Sequence, residues 1–196
     1  MKPWLYFNKI AHKYNKKVTS GFLGNLRKKE QQIVFNLLQP LKKDFILDAG
    51  CGSGFYSLPL LKFGCNVYGI DLSPKMVEVC KKIGINAKVA NIENFNLNKK
   101  FDKILSCGVL EFCNNHKQIL NNFSKHLKDN GMVVILFPKV LFFGFLYKLY
   151  HLSHGVNIRL ISLNRIKKIV KETGFKIVDE KNSTSLSHII LLKKSR

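Results

Sequence analysis

Short apolar runs alternate with amphipathic segments along most of the chain. The runs at residues 45–47, 66–70, 101–106 and 132–137 have the length of buried strands. Between them, apolar positions recur every three or four residues, which is the spacing of a helix with one buried face. This alternation predicts βαβ units and a mostly parallel sheet.

Further segments extend the pattern. A weaker strand is expected at 86–89, and a helix at 162–173 precedes two strand-like runs at 175–179 and 186–192. Together the elements predict an α/β, Rossmann-like, doubly wound fold. We expect a seven-stranded, mostly parallel sheet with an antiparallel last strand and helices on both faces.

Residues 140–152 differ from the rest because they are almost entirely apolar or aromatic. The segment is too short for a membrane span, which needs about 20 such residues. It therefore predicts a buried helix, a lid over a substrate pocket, or a helix on a membrane surface. On a helix, Phe142, Phe145 and Leu149 share one face, which we expect to point inward while Lys148 points outward.

The chain is strongly basic, with 33 Lys and Arg against 12 Asp and Glu, a net charge of +21. The excess lies at the ends, since residues 1–45 carry ten positive and two negative charges and residues 139–196 carry twelve and three. Such a field attracts phosphates, anionic lipid or acidic substrates. Codon bias is the alternative, because only four of the 33 are arginine.

The five cysteines are odd in number and form no C-x-x-C pair, which argues against a disulfide framework or a zinc site. The first 14 residues mix Lys, His and Asn with apolar residues and lack the apolar core of a signal peptide. We therefore expect a cytoplasmic protein.

A glycine-rich loop at residues 46–54 (ILDAGCGSG) follows a predicted strand and opens a predicted helix. It lacks the lysine of a P-loop, and Phe55 stands where a dinucleotide-binding loop has its third glycine. Asp48, two residues before the first glycine, would repel a pyrophosphate. It suits a ligand with a cationic end, such as the ammonium and sulfonium of S-adenosylmethionine.

Asp71 ends the second predicted strand, about 20 residues after the glycines. A carboxylate in that position accepts hydrogen bonds from a ribose diol. The two acidic residues and the loop together predict a nucleoside-containing ligand at the carboxyl edge of the sheet.

Four segments in this order resemble the class I S-adenosylmethionine-dependent methyltransferases, in the branch that acts on small molecules. They are ILDAGCGSGFYSLPL, VYGIDLSPKMVEVCKK, VANIENF and FDKILSCGVLEF, and the resemblance covers about residues 30–140. Residues 7–14 are also similar to the N-terminal A-x-x-Y helix of that branch. The resemblance implies S-adenosyl-L-methionine as the cofactor.

The resemblance also implies a set of cofactor-binding residues. The glycine loop would line the methionine part, Asp71 would hold the ribose, Leu72 and Ser73 would flank the adenine, and Tyr14 would cover the cofactor. Asn91 stands where the family usually has aspartate, and its side-chain oxygen accepts the same hydrogen bond. The implied residues are Tyr14, Asp48, Gly50, Cys51, Gly52, Gly54, Asp71, Leu72, Ser73, Asn91, Ile92 and Ser106.

Methylation of an oxygen usually requires a proton acceptor. His151 and His154 follow the aromatic segment, and Glu111 follows the fourth motif, so these three are the candidate catalytic residues. The two histidines have no third ligand in sight, and no metal site is expected.

The expected function is methyl transfer to an oxygen or nitrogen of a small, hydrophobic or membrane-associated acceptor, with contact to an anionic membrane left open. One alternative is an RNA or protein methyltransferase recruited by the basic surface, which the absence of a separate basic domain disfavours. Another is a protein that binds S-adenosylmethionine without catalysis. The sequence leaves the oligomeric state open.

We expect one domain over residues 1–196. Within it, residues 1–43 would form an N-terminal helical cap and residues 44–138 the cofactor-binding core. An aromatic, lid-like insertion would follow at 139–161, and a helix and a strand pair would close the chain at 162–196.

Overall fold

Strands with apolar side chains on both faces form the centre of the molecule. The computed structural model describes residues 1–183 and 186–195, with Lys16 and Lys17 described by their backbone alone. The strands are β1 Phe45–Ala49, β2 Asn66–Asp71, β3 Asn86–Val89, β4 Phe101–Cys107, β5 Leu127–Pro138, β6 Phe175–Ser183 and β7 Ser187–Lys194.

The sheet has the order β3-β2-β1-β4-β5-β7-β6. The neighbouring pairs from β3 to β5 are parallel, whereas β7 is antiparallel to both β5 and β6. The strand order reverses between β1 and β4, so their carboxyl ends frame the crevice in which such sheets bind ligands. The seven-stranded, doubly wound fold predicted from the sequence is confirmed.

Seven helices connect and cover the strands in the described part of the chain. They are α1 Pro3–Thr19, α2 Gly21–Leu38, α3 Ser57–Phe63, α4 Pro74–Lys82, α5 His116–His126, α6 Phe142–Ser153 and α7 Leu163–Glu172, with a 3₁₀ turn at Leu110–Phe112. Ser73 caps α4 as its sequence position predicts, since its hydroxyl accepts a hydrogen bond from the Met76 amide at 3.3 Å.

Two apolar cores lie on opposite faces of the sheet, and each strand supplies alternate residues to them. Ile46, Leu105, Val134 and Leu191 pack with α2 and α3, whereas their neighbours Leu47, Ile104, Val133 and Ile190 pack with α5 and α7. This period of two explains why the strand segments are continuously apolar in the sequence.

Helix α6 presents a different face to the protein from the one that the sequence predicts. Phe142, Phe145 and Leu149 are 70%, 54% and 59% exposed, so the expectation that they point inward is wrong. The inner face carries Gly144 and His151, which are buried. A Cβ on Gly144 would lie 2.0 Å from the carbonyl oxygen of Lys139, so only glycine permits this close approach. Within the described residues, no helix is long and apolar enough to cross a membrane.

The orientation of α6 predicts the effect of two matched substitutions. Phe123 is completely buried, and Phe123→Ala should lower the free energy of unfolding by about 3–5 kcal/mol. Phe145→Ala should change it by about 1 kcal/mol at most, because half of that side chain already contacts water. Denaturant unfolding of both variants measures the difference, and equal losses would place Phe145 in a packed core.

Candidate functional site

Two carboxylates lie at the carboxyl ends of the neighbouring strands β1 and β2. Asp48 is 1% exposed and accepts a hydrogen bond from the Ser57 hydroxyl at 2.6 Å. Asp71 accepts hydrogen bonds from the backbone amides of Gly52 at 2.9 Å and Ser73 at 2.8 Å. A carboxylate has about four acceptor positions, so Asp71 retains capacity for two hydroxyl donors.

The surroundings of both carboxylates favour a cationic ligand. Burial raises the pKa of Asp48 to about 7; the Ser57 hydrogen bond opposes this rise, and the nearby Asp71 charge adds to it. Burial also raises the pKa of Asp71, against hydrogen bonds from the backbone amides of Ser73, Gly52 and Leu72. Among the described residues, neither carboxylate forms an ion pair, although the chain carries 33 Lys and Arg. A bound cation would relieve both charges.

The glycine loop between them leaves space beside the two acids. Gly52 has φ +50°, and a Cβ there would meet nothing closer than a Tyr14 ring carbon at 3.9 Å. Gly50 differs, because a Cβ there would lie 2.2 Å from Val109, so its role is packing. Gly54 likewise packs against Ile85. The residues present therefore fit a ligand with a cationic end and a diol, as S-adenosylmethionine has.

The remaining predicted cofactor residues fall into two groups. Leu72 is 44% exposed and follows Asp71, and Asn91 is half-buried, its side-chain oxygen accepting the Glu93 amide at 3.0 Å. Cys51, Ile92 and Ser106 are buried in the fold. The Ser106 hydroxyl donates to the Ala49 carbonyl at 2.9 Å, so it links β4 to β1.

Helix α1 is tied to both cofactor loops by residues that the sequence reasoning missed. The Asn8 side-chain oxygen accepts hydrogen bonds from the Ser73 hydroxyl at 2.8 Å and the Lys75 amide at 2.9 Å. The Asn15 side-chain oxygen accepts one from the Ser53 hydroxyl at 2.8 Å. The two asparagines are seven residues apart, so they lie two turns apart on the same face of the helix. This spacing is the signal by which the sequence could have identified them. Tyr14 is held beside the glycine loop by these contacts.

A cavity of about 440 Å³ adjoins this cradle. It lies among α1, α2, α6 and the end of β4, and its wall is mostly aromatic and aliphatic. Its polar or aromatic wall residues include Tyr6, Tyr14, Arg27, Glu30, Tyr56, Glu111, Tyr147, Tyr150 and His151.

Glu111 is the predicted catalytic residue with the most unusual surroundings. It is 2% exposed, its Oε1 accepts from the Tyr147 hydroxyl at 3.4 Å, and its Oε2 has no hydrogen-bond partner among the described residues. Burial raises its pKa to about 7, while its own backbone amide, the Arg27 charge and the Tyr147 hydrogen bond oppose the rise. A carboxylate of this kind accepts a proton at neutral pH.

The two predicted histidines lie in different places. His151 is 4% exposed and forms part of the cavity wall, with its ring in edge contact with Tyr147 at 4.5 Å between centroids. His154 is exposed, lies outside the cavity wall, and has its Nδ1 2.8 Å from the Tyr150 carbonyl oxygen. Its position at the end of α6 turns it to solvent, so we do not retain it as a candidate base.

Residues 47–135 match the model of a methyltransferase domain family. The chain is 32% identical over 157 residues to the ubiquinone biosynthesis O-methyltransferase of Pelagibacter ubique, covering 77% of this chain and 65% of the relative. It is 30% identical over 141 residues to the protein of the same name from Rickettsia akari, covering 66% and 56%. The chain thus spans less than two thirds of the length of these curated relatives.

Solved structures share the fold at low sequence identity. Magnesium protoporphyrin IX methyltransferase from Synechocystis, with bound S-adenosylmethionine, superposes with a TM-score of 0.75 at 19% identity, over 97% of this chain and 94% of that chain. Geranyl diphosphate C-methyltransferase from Streptomyces coelicolor superposes with a TM-score of 0.74 at 13% identity, over 93% and 84%. The matched domain places residues 47–135 in the methyltransferase domain family, and the sheet topology is the fold of the class I S-adenosylmethionine-dependent methyltransferases.

Proposed function

We propose that this protein transfers a methyl group from S-adenosylmethionine to an oxygen of a small, apolar acceptor. The observation that carries the proposal is the space between Gly108 and Glu111. A Cβ on Gly108, whose φ is +67°, would meet only Glu111 Oε1, at 3.9 Å. Gly108 and Glu111 both line the cavity, which thus reaches a buried carboxylate in the 3₁₀ turn after β4, beside the cofactor cradle.

The residues divide the chemistry between them. Asp71 would hold the ribose and Asp48 the cationic end of the cofactor, with Tyr14 covering it. S-Adenosylmethionine supplies an electrophilic methyl group on a sulfonium centre. Glu111 would take the proton of the acceptor hydroxyl as the new O–CH₃ bond forms and the S–CH₃ bond breaks. The aromatic wall excludes water and holds the acceptor oxygen in line, which is the larger part of such catalysis.

The relatives named ubiquinone biosynthesis O-methyltransferase support oxygen as the methylated atom and an apolar acceptor. The outer face of α6 supports delivery of that acceptor from a membrane surface. Phe142, Phe145 and Leu149 form an exposed apolar stripe there, while Phe143 and Leu146 of the same helix line the cavity. The five cysteines, all free, support a cytoplasmic location facing that surface.

The raised pKa of Asp48 predicts that cofactor affinity depends on pH. A cationic ligand requires the ionised carboxylate, so binding below the pKa of about 7 must release a proton. The Kd of S-adenosylmethionine should fall by up to about tenfold per pH unit between pH 5 and 7 and level off above. Calorimetry in buffers of different ionisation enthalpy measures both effects. The Asp48→Asn variant should bind the cofactor more weakly, and its Kd should not change with pH, whereas the Kd of Glu111→Gln should keep the wild-type pH dependence. A wild-type Kd that does not change with pH would contradict this role of Asp48.

Glu111 should control turnover without controlling cofactor binding. With methyl-labelled S-adenosylmethionine and a bacterial lipid extract, the wild-type protein should transfer label to solvent-extractable material. The rate should rise as pH increases through about 7, because the base must be ionised. Glu111→Gln should lower it by about 10²–10⁴-fold at unchanged cofactor affinity. Glu78→Gln, which removes an exposed carboxylate, is the matched control. Full activity of Glu111→Gln would assign the base elsewhere, and no label transfer by the wild type would overturn the proposed function.

The exposed stripe of α6 should bind lipid. Each phenylalanine that enters a membrane surface contributes about 1.5 kcal/mol or more when fully buried. The double variant Phe142→Ser, Phe145→Ser should therefore bind vesicles containing phosphatidylglycerol at least about tenfold more weakly in sedimentation assays. Phe63→Ser, which removes a phenylalanine that is 48% exposed on α3, should bind as the wild type does. Equal binding by all three proteins would remove the membrane from the proposal.

A further inference from the structure

One cation in the wall of the cavity has no hydrogen-bond or ion-pair partner among the described residues. Arg27 lies on α2, is half-buried and lines the cavity. It forms no hydrogen bond or ion pair with another residue of the described ranges 1–183 and 186–195. A guanidinium has five N–H donors, and removing them from water without acceptors is costly.

The charge of Arg27 acts on the cavity itself. Burial raises the pKa values of Tyr56 and Tyr147, and the Arg27 charge opposes both rises, as it does for Glu111. These three residues belong to the segment before α3, to α6 and to the 3₁₀ turn, and all three line the cavity. Arg27 lines the same cavity, so its charge lies near three of the residues that enclose it.

The acids of the cavity wall accept their hydrogen bonds from other residues, although the charges of Glu30 and Glu111 and that of Arg27 act on one another. Glu30, one turn after Arg27 on α2, is 8% exposed, and its Oε1 accepts from the Ser183 hydroxyl at 2.6 Å. Glu111 hydrogen-bonds with Tyr147 and, under the proposed function, receives the acceptor proton. Neither acid accepts a hydrogen bond from Arg27 in the described part of the chain. The N–H donors of Arg27 therefore remain available to an acceptor group on a ligand in the cavity.

We propose that Arg27 binds a carboxylate on the apolar methyl acceptor and so selects acidic acceptors over neutral ones. The planar guanidinium matches a carboxylate with two parallel hydrogen bonds, which lysine cannot supply. The aromatic wall takes the apolar body, and the low polarity of the cavity strengthens the ion pair. This inference rests on the proposed function, because it takes the cavity to be the acceptor site.

The test uses a matched pair of probes, 4-octyloxybenzoate and its methyl ester, which differ in the charged group. Calorimetry on the wild-type protein at pH 7.5, with S-adenosylhomocysteine present, should show the acid binding at least about tenfold more tightly than the ester. Arg27→Gln should bring the two affinities within about twofold, and Arg27→Lys should restore part of the preference. Lys28→Gln removes the same charge from an exposed neighbour on α2 and should keep the full preference.

Equal binding of acid and ester by the wild type would overturn the inference without any variant. A loss of preference as large in Lys28→Gln as in Arg27→Gln would also overturn it, since the general positive field would then be the cause. If Arg27→Gln does not fold, the wild-type ratio and Arg27→Lys decide. If the protein binds the cofactor but neither probe, this inference alone is wrong. If it binds the acid but transfers no methyl group, the Arg27 site stands and the proposed function is wrong.

Discussion

The placement of two carboxylates at adjacent strand ends, Asp48 buried and Asp71 half-buried, is the constraint on which the site depends. Asp48 pairs in register with Gly69 of β2, so the parallel register brings the ends of β1 and β2 to the same edge of the sheet. Removing two carboxylates from water without a protein cation costs folding free energy. The fold keeps that cost down with a serine hydroxyl on Asp48 and backbone amides on Asp71. Such an arrangement is understandable when a cationic ligand completes it.

The cofactor cradle and the acceptor cavity are built from different parts of the chain. The cradle comes from β1, β2 and the loops that follow them, whereas the cavity is closed by α1, α2 and α6. Helix α1 joins the two, because Asn8 and Asn15 hold it on the cofactor loops while Tyr6 meets Tyr150 of α6 at 3.2 Å between hydroxyl oxygens. Under the proposed function, the cofactor site and the acceptor site therefore share helix α1 as a common wall.

The cavity combines a wall suited to apolar ligands with a small number of charged groups. Glu111 and Arg27 come from a turn after β4 and from α2, so their relative placement is fixed by the packing of α2 against the sheet. Under the proposed function, Glu111 and Arg27 in one apolar space would recognise an acceptor by its hydroxyl and by its charge separately. The exposed stripe on α6 lies on the helix whose other residues line the cavity, which links the pocket to the outer surface.

The sheet, the glycine loop and the positions of the two acids are predictable from the sequence, because their signals are local. Alternation along a strand and the spacing of Asp48 and Asp71 around the loop act over a few residues, and parallel strands bring their carboxyl ends together in any such fold. The face of α6 that turns inward is set by packing against the rest of the fold. Apolar side chains recur at helical spacing on two faces of α6, so the spacing does not show which face is buried. The close approach of Gly144 to the Lys139 carbonyl selects one of them. Arg27 and Glu111 meet around one cavity for the same reason: they are 84 positions apart in the chain, and no local pattern records a contact that packing alone creates.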